Sequence, residues 1–300
     1  MRVLSATEWR PLAEAHAGRV DELVRPHLAR RADQVKHPVH DFLFTYYSQR
    51  PAQLRRWHPG HGVALEDADD HAVLKGYEQV ECARGSSGHG AAHSTRVADA
   101  YVVSQRALLT QLHTLLAATA ARPAQLGCFG LHEWAMVHRS VEHGTRHDWP
   151  LRLGPDGTDA VVESHRVACS HFDAFRFFTP SARPLNTVQP GRDDRPAFEQ
   201  PGCLHAGMDL YKHAFRLTPM VPSDLVADCF ELARDIRVLD MRASPYDLAD
   251  LGFAPVRIET TEGKAAYVET QRRFAECGAP LRTRLIAECE RLLEVAEARV

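Results

Sequence analysis

VADAYVVSQRALLTQLHTLLAATAA, residues 97–121, sets the fold class. Val102, Leu108, Leu109, Leu112, Leu115 and Leu116 recur at intervals of three and four, the spacing that gathers apolar side chains on one face of a helix. Similar patterns lie on both sides. Ser5-Ala6-Thr7-Glu8 reads as a capping box opening a helix to about Asp33, disturbed at Pro11 and Pro26. Residues 37–48 and 51–57 read as short helices, 127–139 as a helix after the break at Pro123, and 201–216, 223–243 and 279–299 as three more. Ser223 is the expected N-cap after Pro222.

Two stretches differ. RGSSGHGAAHS (84–94) has no apolar anchor and reads as a loop. Between 144 and 200 glycine, proline and aspartate become frequent, and VVESHRVAC has strand-like content. VRIET, within 255–260, reads as another short strand. The expectation is a mainly α protein: one compact helical domain spanning 1–300, with a small irregular or β-containing insertion or lid around 144–200.

Composition narrows the function classes. With 44% hydrophobic and 25% charged residues, the chain has material for a large core. No apolar run approaches the ~20 residues of a membrane span, and the polar start shows no targeting segment, so the expected location is the cytoplasm. A net charge of −3 argues against nucleic-acid binding through the overall field. The seven cysteines are scattered without a CxxC pair and read as small buried hydrophobes. No phosphate-cradle motif or GxSxG elbow is present.

The outlier is histidine, with 18 residues. His37 with Asp41, His205 with Asp209, and Asp209 with His213 stand one helical turn apart, so each pair shares a helix face. FGLHEWAMVHR (129–139) places His132 and Glu133 in an apolar setting, where a carboxylate requires a partner. ESHRVACSHFDAFRFF (163–178) crowds His165, His171 and Asp173 beside an aromatic patch. Imidazole and carboxylate together suit a divalent transition metal such as Fe, Zn or Mn. The expected ligands are His37, Asp41, His132, His171 and His205. Glu133, Asp209 and Asp173 are the expected catalytic carboxylates, with Glu133 first choice as general base. Asp224, Asp228, Glu231 and Asp235 form a second acidic series, which could meet a cation, the histidines or neighbouring arginines. The favoured function is a metal-dependent hydrolytic or oxidative enzyme acting on a small molecule. A non-catalytic small-molecule binding protein is a further reading.

HPVHDFLFTYYSQRPAQLRRWHPG (37–60), FGLHEWAMVHR (129–139), SHFDAFRFFTP (170–180), CLHAGMDLYKHAF (203–215) and LVADCFELARDIRVLDMRASPYDL (225–248) carry a resemblance over most of the chain. They resemble a group of actinobacterial proteins named 3-methyladenine DNA glycosylase. That resemblance implies excision of alkylated bases from DNA, with a damaged base flipped beside a carboxylate. Glu133, Asp173 or Asp209 would then supply the carboxylate. Tyr46, Tyr47, Trp57 and Phe175 could stack on the base, and Arg50, Arg55 and Arg56 could hold phosphates.

Overall fold

A computed structural model describes residues 1–82 and 92–298. The protein is mainly helical, with a four-stranded sheet in its N-terminal third. The helix Ala6–Ala32 runs unbroken through Pro11 and Pro26. Both rings stand on exposed positions, where solvent replaces the missing backbone hydrogen bonds. Its start is the expected capping box, closed by Ser5 and Glu8.

Three helices build the core. Leu204–Arg216 and Ser223–Arg242 make the most extensive helix pairing, and the 37-residue helix Thr261–Glu297 crosses both. Thr261–Glu297 begins well before the expected 279 and carries Pro280 within it. Gly207 permits the close approach of the first pair, since a Cβ there would lie 2.7 Å from Ile236 Cδ1. Pro222, not Ser223, is the N-cap of the second helix; Ser223 Oγ instead accepts the His58 N–H at 2.7 Å. The apolar face of 97–121 is buried as expected, although its helix is broken at Gln105 into Asp99–Ser104 and Arg106–Ala120.

The strands lie elsewhere than expected. β1 (Arg2–Leu4), β2 (Val63–Glu66), β3 (Tyr77–Cys82) and β4 (Ala92–Val97) form one sheet in the order β1-β2-β4-β3. β1 pairs parallel with β2, and the other neighbours are antiparallel. Residues 92–94, expected as loop, are therefore strand; the remainder of that expected loop, 84–91, lies outside the described residues. Within 144–200, VVES closes the helix Gly154–Ser164, because Thr158, Val161 and Val162 share its buried face. The region is otherwise short helical turns and irregular chain, with two isolated bridges, Leu151 to Tyr246 and Val167 to Asn186. VRIET is irregular as well. Among the described residues, no helix is long and apolar enough to cross a membrane.

Candidate metal centre

The expected helix 127–139 is only one turn, Leu131–Ala135. Left-handed backbone at Phe129 (φ 49°), Gly130 (φ 72°) and Arg139 (φ 55°) bends the chain at either end. Residues 131–138 are all buried, so this segment is enclosed by the protein on every side. Trp134 fixes it in place, donating its indole N–H to the Ala243 carbonyl at 2.8 Å, at the end of Ser223–Arg242.

That anchorage brings His132 against two other helices. His132 Nε2 lies 2.9 Å from Asp240 Oδ1. The His205 ring stands 4.5 Å from the His132 ring, edge to face. One ligand atom from each of His132, His205 and Asp240 falls within 4.8 Å of the others. Two donors bound at about 2.1 Å to one ion stand roughly 3.0 Å apart in octahedral geometry and roughly 3.4 Å apart in tetrahedral geometry. The His132–Asp240 pair would therefore have to open by at most about half an ångström to become adjacent ligands. Two imidazoles and one carboxylate form the donor set of many iron and zinc sites.

The surrounding charges orient these groups. Arg237, 2% exposed, donates to Asp240 Oδ2 at 2.6 Å and to Glu133 Oε1 at 3.1 Å. Its guanidinium also lies 4.0 Å from the Phe42 ring centre. On the far side of His132, Cys128 Sγ is 3.8 Å from Nδ1. Burial disfavours charge on His132, but Asp240 outweighs it and holds the pKa well above the ordinary histidine value. Burial also disfavours charge on Asp240, yet His132 and Arg237 keep it ionised far below the usual carboxylate range. His205 is driven the other way, by burial and then by the charge of His132, and stays neutral with a lone pair to offer.

A second buried polar group adjoins the first. The His171 ring is 5.4 Å from that of His205, and its Nε2 lies 3.4 Å from both Glu199 and Asp209. Asp209 accepts from Tyr47 Oη at 2.9 Å, Arg195 at 2.8 Å and Lys212 at 3.3 Å. Burial would raise its pKa, but the facing His171 and Lys212 hold it far down. Arg195 also pairs with Glu199, and Lys212 with Asp173 at 3.0 Å. The 205–209–213 stripe is thus buried but divided: His205 faces His132, while Asp209 faces the cations. His213 is enclosed, and burial pushes its pKa down to about 3.

The expected residues therefore separate into three places. His132 and His205 belong to the candidate centre, with Glu133 one step behind it through Arg237. His171, Asp173 and Asp209 form the adjoining ion network. His37 and Asp41 stand apart: Asp41 accepts from His27 Nδ1 at 2.8 Å, Arg30 at 3.3 Å and the His37 backbone N–H at 2.8 Å. The His37 ring lies tilted 4.6 Å from that of His40, and burial with that neighbour brings its pKa down to about 4.

Asp240 was missed. Its signal was present, because Cys229, Ala233 and Ile236 continue at helical spacing to 240, which puts the carboxylate on the buried stripe. The more conspicuous acidic series is a surface feature: Asp224 and Asp228 pair with Arg284, Asp228 and Glu231 with Arg19, and Asp235 with Arg234.

The centre opens onto a cavity of about 720 Å³, whose wall includes His132, Cys128, Cys169 and Cys203. Burial pushes the Cys169 and Cys203 thiols up, so both remain protonated. No protein-family model, curated protein or solved structure matches the chain.

Proposed function

We propose that the protein is a metal-dependent enzyme acting on a small molecule, with His132, His205 and Asp240 as ligands, a bound ion displacing the proton that His132 now shares with Asp240. The observation that carries this reading is the convergence of these three buried side chains, from three separate helices, beside a cavity large enough for a substrate. A divalent ion there would activate water or oxygen, the step common to hydrolytic and oxidative metalloenzymes. Arg237 orients Asp240 from behind, and Glu133 balances the guanidinium. Through that link Glu133 supports the ligand set.

The test is elemental analysis of protein purified without a nickel column and supplemented with Fe, Mn or Zn. About one equivalent of one metal, lost in both His205→Gln and Asp240→Asn, is expected. Less than about 0.2 equivalents of any transition metal would defeat the reading.

A specific contact favours a second reading at the same histidine. Cys128 Sγ, His132 Nδ1/Nε2 and Asp240 stand in the order nucleophile, base, carboxylate, with Cys128 and His132 on the cavity wall and Asp240 buried behind them. Iodoacetamide labelling decides it. Cys128 alkylation that is faster than that of a free thiol and slowed at least tenfold by His132→Gln supports thiol chemistry; ordinary reactivity leaves the metal reading alone.

Base excision, the alternative implied by the resemblance, needs a carboxylate facing the flipped base. Glu133, Asp173 and Asp209 are each held in ion pairs, and none lines the cavity. Release of free base from methylated duplex DNA, lost in Asp209→Asn, would establish it instead.

A further inference from the structure

The cavity beside His132 has a one-sided charge in its lining. Among the described residues its wall carries three cations, Arg122, Arg166 and Lys264, and no aspartate or glutamate. Elsewhere in this chain cations are commonly paired: Arg19, Arg152, Arg195, Arg237 and Arg284 each meet a carboxylate. The three on the cavity wall form no ion pair with any described residue. Arg122 spends one guanidinium nitrogen on two main-chain carbonyls, Ala118 at 3.2 Å and Glu199 at 3.1 Å, which leaves its charge uncompensated. Lys264 Nζ lies 6.0 Å from the centre of the Phe129 ring, so the ammonium borders an aromatic surface.

Two further features define what the cavity would hold. Phe129 and Tyr267 supply flat apolar wall. Gln271, 1% exposed, also lines the cavity; its amide N–H donates to the Gly202 carbonyl at 2.6 Å, while its Oε1 is buried with no partner. An enclosed acceptor without a donor costs stability unless something supplies one. The missing complement is an anion for the cations, an apolar body for the rings, and a hydroxyl or N–H for Gln271.

We propose that this cavity binds a small aromatic organic anion, carboxylate or phosphate ester, that carries a hydroxyl or N–H donor. As the substrate class of the enzyme this rests on the metal-centre reading; as a binding site it does not. The cations would hold the acid group through charge-assisted hydrogen bonds, and Gln271 would accept from the hydroxyl or N–H. His132 on the same wall then places the reacting part of the molecule beside the candidate centre.

The experiment is calorimetric titration of protein treated with a chelator, so that no metal can hold the anion. The probes are 4-hydroxybenzoate, 4-hydroxyphenyl phosphate, the neutral 4-hydroxybenzamide, benzoate and the cation tyramine. Expected is binding of at least one hydroxylated anion, with the amide and tyramine weaker by about tenfold or more. The carboxylate and phosphate arms show which acid group fits. Benzoate should bind more weakly than 4-hydroxybenzoate through loss of the Gln271 contact. Lys264→Met and Arg166→Gln, both outside the buried core, should each weaken the preferred anion severalfold, with unchanged thermal unfolding. Equal binding of amide and anion, preference for tyramine, or insensitivity to both substitutions would overturn the proposal. So would a ten-nucleotide single strand binding more tightly than either acid and losing affinity in the same variants. Metal content is measured separately on untreated protein, so loss of one result leaves the other standing.

Discussion

Replacing Arg237 by leucine isolates the electrostatics on which the site depends. The guanidinium is 2% exposed and bridges two carboxylates, Asp240 at 2.6 Å and Glu133 at 3.1 Å. Arg237→Leu keeps much of the apolar stem but leaves two buried anions facing one imidazolium. Removing one partner of a buried ion pair costs about 3–5 kcal/mol, because the remaining charge is left without compensation. In a chain of this size that corresponds to a fall of roughly 5–8 °C in Tm. Equilibrium urea unfolding of wild type and variant measures the loss directly. Adding Glu133→Gln to Arg237→Leu removes the surplus anion and should return about 1–2 kcal/mol, a coupling that a double-mutant cycle reads. An ion bound to Asp240 would also supply positive charge, so the deficit should shrink when the ligated metal is added. A loss below about 1 kcal/mol in Arg237→Leu, or strict additivity with Glu133→Gln, would refute the view that these charges form one buried unit.

Stability should fall on acidification through pH 6.5, before the carboxylates titrate. Burial brings His58 and His213 down to about 3 and keeps His205 neutral, so the unfolded chain takes up their protons first. Each costs up to about 1.4 kcal/mol per pH unit between 6.5 and the folded value. His132 acts in the opposite direction: its raised pKa adds stability that is complete below 6.5 and lost as pH rises through the folded value. With His37, brought down to about 4, added to these, the net loss between pH 7 and 5.5 should be roughly 4 kcal/mol by urea titration; a flat profile would contradict the neutral state of these histidines. Gly130→Ala forces a side chain onto φ 72° at the entrance to the His132 turn and should cost about 1–2 kcal/mol, with weaker metal binding; unchanged unfolding and metal affinity would show that the turn does not position His132.

The helical character was legible because apolar periodicity in 97–121, 201–216 and 223–243 survives in the buried faces. The sheet was not. β3 is YEQVEC, with charged residues where a core strand would be apolar, and β2 is only four residues long. VVES was misleading because Val161 and Val162 face a helix-packed core, and tertiary burial overrode their β preference. Two of the three candidate ligands were legible for definite reasons: His132 sits in an apolar segment that demands partners, and His205 stands one helical turn from Asp209 on a shared face. Asp240 was overshadowed by Asp228 and Asp235, whose exposed ion pairs are more visible in a linear reading than one carboxylate on an apolar stripe. Charge excess proved a poor guide to burial, and interruption of an apolar face a better one.

The most direct measurement is an anomalous difference map at the cobalt edge, from crystals grown with cobalt(II) as a probe of the site. One peak within about 2.0–2.3 Å of His132 Nε2, a His205 ring nitrogen and an Asp240 oxygen is the expected result. No peak there at saturating cobalt, with the 2.9 Å His132–Asp240 hydrogen bond intact, would contradict the metal centre.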